Sequence, residues 1–334
     1  MMRRKTGSWF ALAALFASGL AGCITEPSHR DDGDKAGPPS AVDRKFTVTG
    51  PVRLELTNGS GDSHVEAGAA GQVLVHAEFR EKSRLFQNGH HRLDEMAANP
   101  PISQEGNLIR IGASFEHFAG VEVNYTITVP PDTQIHAMSG SGTIEVSGIK
   151  GPASFTTGSG TISATNIAGD VQATAGSGDV RLSSIQGQVQ ITAGSGDIQL
   201  AGIRGDVRAQ TGSGDIKIAN SQGSLEAGSG SGSITLGQVS SDLRARTSSG
   251  EIAVEGNPPS NTYWEMHTSS GNVTLHVPAS ADFRLYARTS SGDIDTQIPI
   301  IMEGTAAKHE LRARIGDGKA RVEIETSSGK ILLR

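Results

Sequence analysis

Short bursts of alternating apolar and polar residues run through the middle of this chain, and the bursts recur at a fixed distance. Between positions 196 and 213, Ile198 and Leu200 are followed by Ile203. After Gly205 the alternation resumes as Val207, Ala209 and Thr211. Two runs of period two, each bounded by glycine, predict two short strands and two tight turns; no window keeps a helical 3.6-residue spacing. The same positions return every 18 residues. One column reads Ile144, Ile162, Val180, Ile198, Ile216, Ile234, Ile252; a second reads Val146, Ala164, Leu182, Leu200, Ile218, Leu236, Val254. A third, on the other arm, holds Ala153, Val171, Val189, Val207, Leu225 and Leu243.

The period is marked by a Gly-Ser-Gly or Ser-Ser-Gly triplet. Its last glycine falls at Gly142, Gly160, Gly178, Gly196, Gly214, Gly232 and Gly250, then at Gly271, Gly292 and Gly329. A short fixed period means one supersecondary unit stacked on itself. Stacking like on like buries the columns as ladders and gives each strand a parallel neighbour about 4.8 Å away. The expectation is an all-β fold: a single-stranded parallel β-helix of 18-residue coils over residues 139–334. The turn glycines are expected to supply positive φ. Ser159, Ser177, Ser195 and Ser213 should line the outside as a hydroxyl ladder. After Gly250 the coils widen, with the extra residues near Pro258-Pro259 and Pro278, while Trp264, Met266, Leu285 and Ala287 keep the core columns. The interval before Gly329 has room for two coils, or for one coil with an insert. Residues 330–334 are expected as the final edge strand, with Lys330 and Arg334 discouraging edge-to-edge pairing.

Ahead of the repeat, the pattern changes. Residues 1–22 read as a signal peptide: Arg3, Arg4 and Lys5 precede an apolar stretch, 9–20, too short to span a bilayer comfortably. Leu20-Ala21-Gly22-Cys23 resembles a bacterial lipobox, which implies cleavage before Cys23 and lipid on its thiol. Cys23 is the one cysteine, so no internal disulfide is possible. Ile24 rather than aspartate follows it, which points to the outer membrane. Residues 23–45, rich in proline, glycine and charge, read as anchor and flexible tether. Residues 46–138 read as an irregular β-rich part. Val52, Leu54 and Leu56 before Gly59-Ser60-Gly61-Asp62 look like an early coil. An inserted loop over 80–101 carries His90-His91 and Asp94-Glu95.

Composition narrows the function. Forty-three glycines in 334 residues would suggest low complexity, but here they are periodic. The net charge is −6, and residues 139–250 hold seven Lys/Arg against eight Asp/Glu. There is no basic stripe, so nucleic acid is not an expected partner. The same stretch lacks His, Cys, Tyr and Trp, and Phe155 is its one aromatic residue. Asp179, Asp197 and Asp215 stack in register after the glycine. Elsewhere that position holds Thr143, Thr161, Ser233, Glu251, Asn272 or Lys330, which reads as turn chemistry rather than a catalytic or metal column. A calcium-binding roll would repeat its Gly-Gly-x-Gly-x-Asp motif in both half-coils. Here the second half offers Gly169-Asp170 and Gly205-Asp206, with Gln188 and Ser224 between and after them. His90-His91 has no second cluster at ligand spacing. No metal or cofactor is expected. Thr157, Thr211, Thr247, Thr268 and Thr289, interrupted by Ala175 and Ala193, read as small corner fillers rather than an ice-facing array.

Three segments carry a family resemblance: Thr-Gly-Ser-Gly-Asp-Ile (211–216), Thr-Ile-Thr-Val-Pro-Pro (126–131) and Thr-Ser-Ser-Gly-Lys-Ile (326–331). Over residues 46–334 the chain resembles a bacterial adhesin-type domain family of unknown function, a β-strand-repeat family also called toastrack. The resemblance implies a right-handed β-helix on the outer side of a bacterial membrane. It brings no catalytic residues. Some members of the family work in envelope-stress signalling beside small membrane proteins. Many have transmembrane segments where this chain has a lipobox. The expected function is therefore that of a non-enzymatic cell-envelope lipoprotein with an adhesin-like role. The alternatives are an envelope-stress scaffold or, less in keeping with the residues, a polysaccharide-processing β-helix enzyme. Expected partners are the membrane, through the lipid anchor, and an envelope protein or surface polysaccharide; the oligomeric state stays open.

Overall fold

The computed structural model describes residues 40–81, 96–112, 121–304 and 307–334. Cys23, and His90-His91 with Asp94-Glu95, lie outside the described residues, as does most of the expected tether. The described residues build two sheets, of 14 and 15 strands, and through the repeat each coil gives one strand to each sheet. The fold is a β-solenoid, and the repeat period is its coil. Val180–Ile185 pairs in parallel with Ile198–Ile203 at an offset of one period, and Val189–Ala193 pairs likewise with Val207–Thr211. All three apolar columns read from the sequence are buried ladders. A further column, Phe155, Ala173, Ile191, Ala209, Ala227, Ala245 and Met266, fills the space between the sheets.

The turn glycines have a different cause from the one expected. Of the column, Gly142 alone has positive φ, at 122°. The others are required by close approach. A Cβ on Gly196 would sit 1.9 Å from the carbonyl oxygen of Gly178, and one on Gly178 would sit 1.6 Å from that of Gly160. Each corner is packed backbone on backbone, with no room for a methyl group. Positive φ falls instead on a column six residues further along: Gly148, Asn166, Ser184, Gly202, Asn220 and Gln238, all between 56° and 75°. Asparagine and glycine tolerate this left-handed conformation best. There the first-sheet strand of each regular coil turns before its last inward residue, as at Asn166, which is skipped in the register before Ile167.

The threonine column is a set of buried corners. The Thr247 hydroxyl donates to the Gly232 carbonyl at 3.0 Å and accepts the Gly250 N–H at 3.2 Å. Thr211, Ser229 and Thr268 repeat the arrangement. Ser159, Ser177, Ser195 and Ser213 are exposed on the outside. In the wider coils Trp264 is fully buried, and its indole N–H donates to the Ser241 carbonyl at 2.7 Å.

Both ends of the stack depart from sequence order. Arg53–Ser60 and Ser63–Ala67 form a coil lying between the coils of Leu108–Ile111/Val121–Val129 and Gln134–Ser141/Ile144–Ser147. At the other end Ala320–Thr326 and Ile331–Leu333 slot between Tyr263–Thr268/Val273–His276 and Phe283–Thr289/Ile294–Thr296. Residues 330–334 are therefore not the edge. The long interval before Gly329 contains an antiparallel return, Glu310–Ile315 against Phe283–Thr289, which brings the last coil back inside. The N-terminal end is covered similarly by Gln72–Glu81, antiparallel to Val121–Val129, and outside it by Ser40–Thr47. The tether thus ends sooner than expected: alternating Val42 and Phe46 pack on the core from a strand that begins at Ser40. These antiparallel strands build on the open edge of an end coil, so they cover the ends of the parallel ladder without adding another full coil.

Candidate binding groove

The backbone of each sheet is paired within the sheet, so a ligand on its outer face meets side chains. On the second sheet these side chains form continuous lines. Outward positions run His136, Ser154, Gln172, Gln190, Arg208, Glu226, Arg244 and Glu265 on successive coils. Beside them the corner residues run from Gln134 through Asp170, Asp206 and Asp242 to Tyr263. The two lines border an open groove of about 990 Å³. Seven steps of about 4.8 Å make it roughly 34 Å long.

Its carboxylates are occupied. Oδ1 of Asp170 accepts the Gln188 N–H, that of Asp206 the Ser224 N–H, and that of Asp242 the Tyr263 N–H, each at 2.8 Å. Each corner aspartate thus clamps the next coil in place of a backbone carbonyl. The aspartate column read from the sequence does the same on the opposite corner: Asp179, Asp197 and Asp215 accept the N–H of the equivalent residue one coil on, at 3.1, 2.9 and 2.8 Å. Asn272 does this for Lys330 at 2.9 Å, so the position needs an acceptor oxygen and not a charge. Along the groove floor, Glu226 pairs with Arg208 at 3.2 Å. Glu265 holds Arg244 at 3.1 Å and also Arg246. Burial would raise the Glu265 carboxyl, but the hydrogen bonds and charges of Arg246 and Arg244 hold it below the usual range.

At its far end the groove meets a second cleft, of about 920 Å³, with Tyr263 lining both. Burial, then the 2.7 Å hydrogen bond its hydroxyl donates to Glu323, pushes the Tyr263 phenol up to about 12. Arg321 lies over the Tyr263 ring at 5.5 Å, and Arg312 over Tyr286 at 5.3 Å. Among the described residues no three of His, Cys, Asp and Glu converge as a metal site. No helix among them is long and apolar enough to cross a membrane.

The groove was missed in the sequence, although its signal is there: the polar residue following each core position repeats with the coil period. The second cleft has no such signal, because its residues come from strands out of sequence order.

The Toastrack DUF4097 family model matches residues 102–240 and again 224–334. No curated protein matches the chain. Among solved structures, the chain is similar to a candidate cell adhesion protein from Clostridium sporogenes ATCC 15579 at 12% identity. That match covers 88% of this chain and 98% of the other, with a TM-score of 0.21. A candidate adhesin from Bacteroides fragilis NCTC 9343 is similar at 12% identity over 88% and 97%, with a TM-score of 0.38. Neither likeness is close enough in shape to bear on function.

Proposed function

The chain belongs to the Toastrack DUF4097 family, and from that premise we propose that it is a non-enzymatic, adhesin-like binding module of the bacterial cell envelope, held by lipid on Cys23. The groove on the second sheet is its binding track, and its ligand is a long, hydroxyl-rich polymer such as a surface polysaccharide. One observation carries the reading: a groove roughly 34 Å long, built from one outward side chain per coil, whose aspartates serve the backbone. An acid–base enzyme needs carboxyl groups free to exchange protons with a substrate. Here each of these aspartates clamps a coil, while Gln172 and Gln190, exposed and neutral, offer donors and acceptors without fixed charge. A repeated rung suits a repeated ligand, since each coil meets one part of the polymer and weak contacts add along its length.

The test is binding of the full chain to polysaccharide purified from its own envelope, with Gln190→Trp as the groove-filling variant. The expected result is saturable binding that Gln190→Trp weakens at least tenfold while leaving the melting temperature within a few degrees. Equal binding by the two proteins overturns the groove as the track.

A further inference from the structure

The outer face at the C-terminal end of the second sheet carries a line of like charge. Arg284 stands directly opposite Arg321 on one side and Arg314 on the other, and Arg321 stands opposite Tyr263. Three arginines on adjacent strands are about 4.8 Å apart strand to strand, an arrangement that costs stability unless an anion answers it. The two outer ones are partly answered. Arg314 reaches Glu303 at 3.6 Å, and Arg321 reaches Glu323 at 3.3 Å while stacking on Tyr263. The central one, Arg284, is exposed and has no ion-pair or hydrogen-bond partner among the described residues. The stems are held from above: a Cβ on Gly318 would come within 2.9 Å of Arg284 Cγ and 3.1 Å of Arg314 Cγ. The cleft beside them is lined by Arg284, Arg312, Lys319 and Arg321 against Glu303 and Glu323.

We propose that Arg284, flanked by Arg314 and Arg321, is the anion subsite of the binding track, and that its ligand is an acidic polysaccharide. The inference deepens the functional reading above and rests on it. The guanidinium fork matches a carboxylate or sulfate with two parallel hydrogen bonds. Tyr263 joins the cleft to the groove, so a polymer lying along the groove reaches the arginines at its end. The charge elsewhere on the track sets the class. Along the groove Glu226 and Glu265 are answered by Arg208, Arg244 and Arg246, which leaves the corner line of Asp170, Asp206 and Asp242 as negative charge without an ion pair among the described residues, and the protein is net acidic. A polymer with dense phosphate charge meets repulsion at that aspartate line, one carboxylate on every second coil. A hydroxyl-rich chain with spaced carboxylates meets neutral amides in the groove and the free arginine at its end. A peptide adding as a strand needs an open backbone edge, which this face lacks.

The experiment titrates the full chain with polygalacturonate, with dextran as the neutral polymer and dextran sulfate as the dense polyanion. Arg284→Gln is the test variant. Arg181→Gln, on the other sheet and paired with Asp179 at 2.8 Å, is the control. The expected result is that polygalacturonate binds more tightly than either other polymer. Arg284→Gln should weaken that binding about tenfold or more without lowering the melting temperature, and Arg181→Gln should leave it unchanged. Equal polygalacturonate binding by wild type and Arg284→Gln overturns the subsite, as does tighter binding of dextran or dextran sulfate. The two readings fail separately. Loss of binding in Gln190→Trp but not Arg284→Gln leaves the groove standing without the subsite. Loss in Arg284→Gln alone leaves an anion site without the groove.

Discussion

Gly196→Ala should be among the most damaging single-methyl changes in this protein, and the structure says by how much. The new Cβ would lie 1.9 Å from the Gly178 oxygen, where real Cβ contacts stay beyond 3.0 Å. Two coils must then part by about 1 Å at that corner, against an interior packed to crystal density. Three hydrogen bonds stand nearest the strain: Ser195 N–H to Gly176 O, Asp197 N–H to Asp179 Oδ1, and Val180 N–H to Asp197 O, at 3.1, 3.1 and 2.9 Å. Losing two or three at about 1 kcal/mol each, with about 1–3 kcal/mol of overpacking, gives roughly 3–6 kcal/mol. Gly202, in the same coil, is the control. It has φ of +68°, and its nearest atom to an added Cβ is 3.8 Å away. Gly202→Ala therefore carries the left-handed cost alone, about 1–2 kcal/mol. Gly202→Asn should cost less, as Asn166 and Asn220 occupy equivalent positions. Urea denaturation of the full chain, followed by far-UV circular dichroism, gives the midpoints. If Gly202→Ala proves as costly as Gly196→Ala, close approach is not what selects glycine at the corners.

Leu200→Ala, in the middle of its buried column, should cost about 2–5 kcal/mol in the same denaturation experiment. Asp197→Asn should stay within about 0.5 kcal/mol, because the amide oxygen can still accept the Asp215 N–H; a larger loss would mean that the charge matters. Attachment of the N-terminal strand should depend on pH through His76. The Nδ1 contact to Asp43 at 2.7 Å, opposed by burial and aided by Glu78, raises the imidazole above its usual 6.5. A raised value stabilises fully below 6.5 and is lost as pH rises through the folded value. Hydrogen exchange over Ser40–Thr47 should therefore show more protection, after correction for intrinsic rates, at mildly acidic than at mildly alkaline pH. No such difference should remain in His76→Ala. Cys23→Ser should leave the protein unprocessed or released from the membrane fraction; normal processing and attachment would contradict lipid anchoring.

What the sequence determined by itself is what repeats. A coil buries the same positions each time, so the period, the two-strand unit and the core columns stand in the chain as plain spacing, and the aspartates follow as turn residues because that position tolerates asparagine and threonine. What the tertiary structure alone decided depends on contacts between coils. The corner glycines answer to a carbonyl one coil away, and a sequence shows that glycine is there but not which of its two freedoms is used. The same holds for Asn166 and Asn220, whose left-handed backbone is invisible until the strand is seen to kink. The order of the end coils is further from reach. Residues 320–333 carry the same pattern as any other coil, so their alternation places them in the stack without saying where. Only the antiparallel return of Glu310–Ile315 puts them inside Phe283–Thr289. Arg284, Arg314 and Arg321 become neighbours by that route, because strand pairing, unlike periodicity, joins residues with no fixed separation along the chain.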